Sequence, residues 1–130
     1  NNLDESINFY RDVIGLEVIG YKERDGGPIS DVVGYKYVHI KAAVLDLGNS
    51  IFLELIEYIK PEAEPRSSEE RAAIGASHIG FEVENIKETA GEMAARGARV
   101  LNEPAAIIPG RFSCYLQDPD GNWLEFIQQS

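Results

Sequence analysis

Two halves of this chain repeat each other, and no other feature limits its fold as much. A helical stretch, a glycine and a strand-like stretch follow in that order from Leu3 to Tyr21, and again from Ile86 to Leu101. Gly48-Asn49-Ser50-Ile51-Phe52-Leu53-Glu54-Leu55-Ile56 echoes Gly121-Asn122-Trp123-Leu124-Glu125-Phe126-Ile127, each at the end of a hairpin. Such self-similarity means one supersecondary unit used twice. The second half reads strand, helix, strand, strand, strand. The first reads helix, strand, strand, strand, and lacks only a counterpart of Ser77 to Val83. The repeat therefore predicts a further strand of roughly eight residues before Asn1.

The local signals set the elements. Leu3, Ile7, Tyr10 and Ile14 share one face of a helix capped by Asn2 or Asp4 and stopped by Gly15. Leu16 to Tyr21 reads as a strand and Arg24 to Gly34 as a loop. His39 to Leu47 and Ser50 to Tyr58 are strands joined at Gly48-Asn49. Lys60 to Ala76, with Pro61, Pro65 and few large apolar residues, reads as a linker or mobile loop. The run Glu69-Glu70-Arg71 within it is expected to be a solvated face. Ser77 to Val83 alternates as a strand does. Asn85 caps a helix from Ile86 to about Arg96, ended by Gly97. Ala98 to Leu101 is strand-like, Pro104 to Gly110 a loop, and Phe112 to Gln117 and Asn122 to Gln128 form a hairpin around Asp118-Pro119-Asp120-Gly121.

At 130 residues the chain matches the length of a single domain. We read it as one domain over 1–130, with a first module at 1–59, the linker at 60–76 and a second module at 77–130. An apolar fraction of 44% and a charged fraction of 26% exclude wholesale disorder. Net charge is −10, so nucleic acid and anionic membrane surfaces are poor partners, and a divalent cation or a neutral small molecule suits the chain better. One cysteine, Cys114, excludes an intramolecular disulfide and a site built on several thiolates; a small core residue is expected there. No apolar run approaches the roughly 18 residues of a membrane span, and no signal peptide is visible, so a cytoplasmic location is expected.

Strand alternation sorts the ionisable residues. Ile79, Phe81 and Val83 lie on one side of their strand, His78 and Gly80 on the other. Leu124 and Phe126 oppose Trp123, Glu125 and Ile127. Leu53 and Leu55 oppose Phe52, Glu54 and Ile56. In each strand the purely apolar set suits a helix-packed face, and the set with one ionisable residue suits the inside of a cup. A buried carboxylate without a partner costs several kcal/mol, and coordination to a cation removes most of that cost. Imidazole nitrogen with carboxylate oxygens suits Zn²⁺, Ni²⁺, Co²⁺, Mn²⁺ or Fe²⁺. A structural histidine at His78, or a Glu125 in a cup that holds no metal, are the plainer alternatives. Glu57 rivals Glu54 but has the opposite parity. Glu54 is favoured because Leu53-Glu54-Leu55 aligns with Leu124-Glu125-Phe126, which leaves Glu57 as a rim or surface acid. His39, near a strand start, is expected to be exposed and has no assigned role.

Asp4, Phe9-Tyr10, Ile14-Gly15-Leu16, Leu53-Glu54-Leu55, His78-Ile79-Gly80-Phe81, Asp118-Pro119-Asp120-Gly121 and Leu124-Glu125-Phe126, in this order and spacing, carry a resemblance over nearly the whole chain. The chain resembles the glyoxalase/bleomycin resistance/dioxygenase superfamily, the vicinal oxygen chelate fold, and within it the lactoylglutathione lyase-like members. The resemblance implies an α+β fold of two βαβββ modules whose curled sheets form a cup around a divalent metal. It implies Glu54, His78 and Glu125 as ligands, with a fourth before Asn1. It also implies a small-molecule substrate and a homodimer with sites at or near the subunit interface.

The activity implied is that of a metal-dependent lyase or isomerase of glyoxalase type. The metal polarises a carbonyl of a small oxygenated substrate, an enediolate forms, and Glu125 or Glu54 moves the proton, with Glu125 favoured. Phe52, Ile56 and Trp123 are expected as apolar walls, and Arg111 as a contact for an anionic group or else a surface residue. Two further readings stand beside this one. An extradiol-type Fe²⁺ dioxygenase would share His78 and Glu125, but its two-His triad is at odds with an inward Glu54. A non-enzymatic drug-binding resistance protein would have no need of the ligands this chain retains.

Overall fold

Asn2 is extended, and its Oδ1 accepts the Glu5 amide at 3.2 Å, so α1 (Leu3–Asn8) begins where the cap and the acids Asp4 and Glu5 favour it. The computed structural model describes residues 1–129. In it the helix expected up to Gly15 is not α-helical throughout. From Phe9 to Ile14 it widens into a π-helical turn, and the amides of Gly15 and Leu16 both reach the Tyr10 carbonyl. The wider turn breaks the 3.6-residue period. The buried residues are therefore Leu3, Ser6, Phe9 and Tyr10, while Ile7 and Ile14 are only half-buried. Phe9 and Tyr10 pack edge to face at 5.2 Å. Gly15 closes the turn at φ 93°, a conformation that favours glycine.

The chain divides into two compact units, residues 1–65 and residues from 66 onward, and the stretch expected to be a linker is shared between them. In the first unit, β1 (Glu17–Asp25), β2 (His39–Asp46) and β3 (Phe52–Lys60) form an antiparallel sheet in the order β1-β2-β3. The expected loop from Arg24 to Gly34 instead contains α2 (Pro28–Val33). Pro28 supplies a preset φ at the first helical position, and the buried Ser30 Oγ accepts the Val38 amide at 3.1 Å. His39 is part-shielded and pairs with Glu23 across the strands at 2.7 Å.

On β3, alternation holds as expected: Phe52, Glu54 and Ile56 share an exposed face, and Leu53 and Leu55 the more buried one. Glu57 is not a surface acid. It lies on the Leu53–Leu55 face, and its Oε2 accepts the Leu3 amide at 3.2 Å, tying β3 to the start of α1. The first amides of a helix have no partner within it, which makes a carboxylate there favourable.

The second unit holds β4 (His78–Glu82), α3 (Ile86–Ala95), β5 (Arg99–Val100), β6 (Ala105–Ile108), β7 (Arg111–Gln117) and β8 (Trp123–Gln129). Sheet order is β4-β8-β7-β5, with β6 also pairing β7. β4 and β8 run parallel, and β7 and β8 antiparallel. β6 falls where a loop was expected; its four residues are all exposed, and it pairs along β7 through a register shift between Ala106 and Ile108. Asn85 caps α3, its Oδ1 accepting the Glu88 amide at 3.3 Å. Ile86, Ala90 and Met93 face inward. The β7–β8 turn is held by Asp118, whose Oδ1 accepts the amides of Asp120 and Asn122 at 3.0 and 2.8 Å. Leu116, Leu124, Phe126 and Cys114 are buried, which makes Cys114 the core residue expected.

Residues 66–77 are not a free linker. Arg66 hydrogen-bonds Asn122, and the Glu69 carbonyl accepts the Trp123 indole N–H at 2.8 Å. The Arg71 guanidinium lies 4.4 Å from the Trp123 ring centroid. The segment is a strap across the end of β8, and Glu69–Arg71 contributes to it despite its exposure. Among the described residues, no helix is long and apolar enough to cross a membrane.

Candidate functional site

Strand register decides which side chains meet in the second unit. In the β4–β8 ladder His78 pairs with Trp123 and Gly80 with Glu125. In the β7–β8 ladder Tyr115 pairs with Glu125 and Ser113 with Ile127. Directly paired residues point to the same face. One face therefore carries His78, Trp123, Glu125, Ser113, Tyr115 and Arg111, and the opposite face carries the apolar set. Gly80 stands beside Glu125 and has no side chain; a Cβ there would meet Ile127 Cδ1 at 3.4 Å.

His78 Nε2 lies 3.0 Å from Glu125 Oε2, and Ser113 Oγ donates to Glu125 Oε1 at 2.5 Å. Tyr115 Oη is 3.5 Å from His78 Nε2, and the two rings meet edge to face at 5.2 Å. The Glu125 side chain is 13% exposed and that of His78 40%. A carboxylate so enclosed needs donors, and Ser113 and His78 supply one to each oxygen. Burial, followed by the charge of Glu125 and a hydrogen bond to it, raises the Tyr115 phenol above its usual range, while Arg71 opposes this. Burial foremost, with the charges of Glu103 and Glu125, likewise raises the Cys114 thiol.

The pair fits a divalent cation by its donor chemistry. An imidazole nitrogen and a carboxylate oxygen, 3.0 Å apart, are the donor types that such an ion takes. Among the described residues of the second unit, no third His, Cys, Asp or Glu joins the pair.

The other expected site residues are placed as follows. Glu54 stands in the middle of β3 between Phe52 and Ile56, exposed and with no hydrogen-bond or ion-pair partner among the described residues. Trp123 is buried at 8% exposure, with its indole tethered to the strap. Arg111 shares the Glu125 face, and its buried Nε has no hydrogen-bond partner among the described residues. Sequence reasoning missed Ser113, as well as Arg71 over Trp123 and 5.9 Å from the Tyr115 ring centroid. Parity on β7 points to Ser113 once its register with β8 is known. No sequence signal points to Arg71, which acts from a segment of irregular backbone.

Comparison with known proteins agrees with this architecture. Residues 1–126 match the family model of the Glyoxalase/Bleomycin resistance protein/Dioxygenase superfamily, and the chain belongs to that family. It is 27% identical over 131 residues to a Synechocystis protein named "Probable lactoylglutathione lyase", covering 99% of this chain and 88% of that one. It is 28% identical over 132 residues to the lactoylglutathione lyase of Neisseria meningitidis, covering 98% and 83%. A glyoxalase family protein from Bacillus cereus shares the fold at TM-score 0.86 and 23% identity, over 99% of this chain and 87% of that one. The α+β vicinal oxygen chelate fold that the resemblance implies is thus the fold of this protein.

Proposed function

We propose that this chain is a divalent-metal-dependent lyase or isomerase of glyoxalase type, acting on a small oxygenated substrate. The observation that carries this is the convergence of His78 Nε2 and Glu125 Oε2 on one point, from strands far apart in sequence. Family membership and the names of the curated relatives support the same class. In this reading His78, Glu125 and Glu54 hold the ion, with the two modules (1–59 and 77–130) working as one domain and the chain as a homodimer. The ion, one of Zn²⁺, Ni²⁺, Co²⁺, Mn²⁺ or Fe²⁺, supplies Lewis-acid polarisation of a substrate carbonyl.

The chain's own residues do the rest. Glu125 accepts the proton from the carbon next to that carbonyl and returns it to the carbonyl carbon, while the substrate's hydroxyl proton passes to the former carbonyl oxygen, so no oxidant or reductant is consumed. Glu54 is the second candidate for this step. Arg111, with its unsatisfied Nε, meets an anionic group of the substrate. Phe52, Ile56 and Trp123 form apolar walls and exclude water.

The test is metal content by elemental mass spectrometry, on protein purified without chelator, beside the double variant H78A/E125A. About one ion per chain in the parent and none in the variant is expected, with isomerisation of the methylglyoxal–glutathione adduct by the parent alone. A parent that stays empty after reloading with Zn²⁺, Ni²⁺ or Fe²⁺ overturns the reading. Oxygen uptake with catechols would point to dioxygenase chemistry instead.

A further inference from the structure

We propose that Ser113 is a positioning residue that confines the work of Glu125 to one carboxylate oxygen, Oε2. The inference rests on the metal-dependent reading above and specifies how its base operates. Ser113 is 7% exposed and sits on β7, two residues from the position directly opposite Glu125 and on the same face. Its hydroxyl donates to Glu125 Oε1 at 2.5 Å, the length of a strong bond to a charged acceptor. The other oxygen, Oε2, is the one that faces His78.

A carboxylate with both oxygens free can bind an ion through either or both, and can exchange them by rotation. With Oε1 held by a buried donor, rotation costs that bond and Oε2 is the less encumbered oxygen. Oε2 would then be the oxygen that holds a bound ion or accepts the proton of the substrate carbon and returns it to the adjacent carbon, while the substrate's hydroxyl proton passes to the former carbonyl oxygen. Ser113 keeps its own proton throughout, so atoms and charge balance. Replacing Ser113 with alanine removes the hydroxyl that holds Oε1 and loosens the carboxylate's orientation. Partners that orient a metal ligand in this way typically matter about 10- to 100-fold in metal affinity.

The experiment measures Zn²⁺ affinity by chelator competition, together with kcat and KM, for the parent and for S113A, S113C and S113T. S113C keeps the volume but donates only weakly, so the question stays answerable if S113A folds poorly. S113A and S113C are expected to bind Zn²⁺ about 10- to 100-fold more weakly, with kcat falling more than KM changes. S113T retains a hydroxyl and is expected to restore both. Unchanged Zn²⁺ affinity and kcat in S113A and S113C overturn the proposal and leave the metal reading intact. The same holds if only the melting temperature falls. A parent that binds no Zn²⁺ overturns both together.

Discussion

His78 Nε2 and Glu125 Oε2 lie 3.0 Å apart although 47 positions separate them in the chain. The parallel β4–β8 ladder brings them together, with Gly80 paired directly with Glu125. Removing the charge of Glu125 should therefore cost far more in turnover than in folding. We expect E125Q to lower kcat about 10²- to 10⁴-fold, the usual contribution of a positioned base, with a melting temperature close to the parent's. Steady-state kinetics beside thermal unfolding checks this; comparable turnover in E125Q would remove Glu125 from the role.

Glu54 and Glu57 lie on opposite faces of β3 and should separate by experiment. E57A removes the acceptor of the Leu3 amide at the start of α1 and is expected to destabilise the protein by about 1–2 kcal/mol with metal content unchanged. E54A removes an exposed side chain without a partner among the described residues and should leave stability within about 0.5 kcal/mol while weakening metal binding. Urea unfolding and metal analysis of both variants decide the matter, and the reverse pattern would exchange their roles.

Trp123 is the chain's one tryptophan, so its fluorescence reports on the strap. R71Q removes the guanidinium over the indole, a contact of about 0.5–1 kcal/mol at an exposed site. A shift of emission to longer wavelength and stronger acrylamide quenching are expected. An unchanged spectrum would mean that the Glu69 carbonyl holds the indole unaided.

Cys114 should be slow to react. It is fully buried, and burial, with Glu103 and Glu125 adding their charge, pushes its thiol above the ordinary range. The thiolate is the reactive form, so at pH 8 the folded protein holds less of it than a free cysteine does. Iodoacetamide should label the native chain far more slowly than the urea-unfolded one, and the gap should narrow only above the ordinary thiol range. Equal labelling rates would contradict the burial.

The residues best read from sequence were those set by short-range rules. Parity put His78 and Glu125 on one face, Asn2 and Asn85 are recognisable caps, and the repeat of Leu53-Glu54-Leu55 in Leu124-Glu125-Phe126 singled out Glu54, while the fold followed from the family resemblance. Features that depend on unusual backbone or on long-range contact were not legible. The π turn at Phe9–Ile14 shifts the buried face off its regular period. α2 is only six residues long and starts after two glycines. Glu57 has the side-chain chemistry of a surface acid, and only its contact with Leu3 reveals a cap. Ser113 gives no signal until β7 is in register with β8.

The order of the second sheet bears on how the protein is made. β8 is the last strand of the chain, yet it lies between β4 and β7. Among the described residues β4 has no other neighbour in its sheet, so it lacks that partner until β8 has left the ribosome. The sheet closes only after β8 has emerged, through contacts distant in sequence, which are slow to form. A message truncated after the codon for Gln117 would yield a chain whose β4 has lost its sheet partner, a substrate for chaperones and proteases.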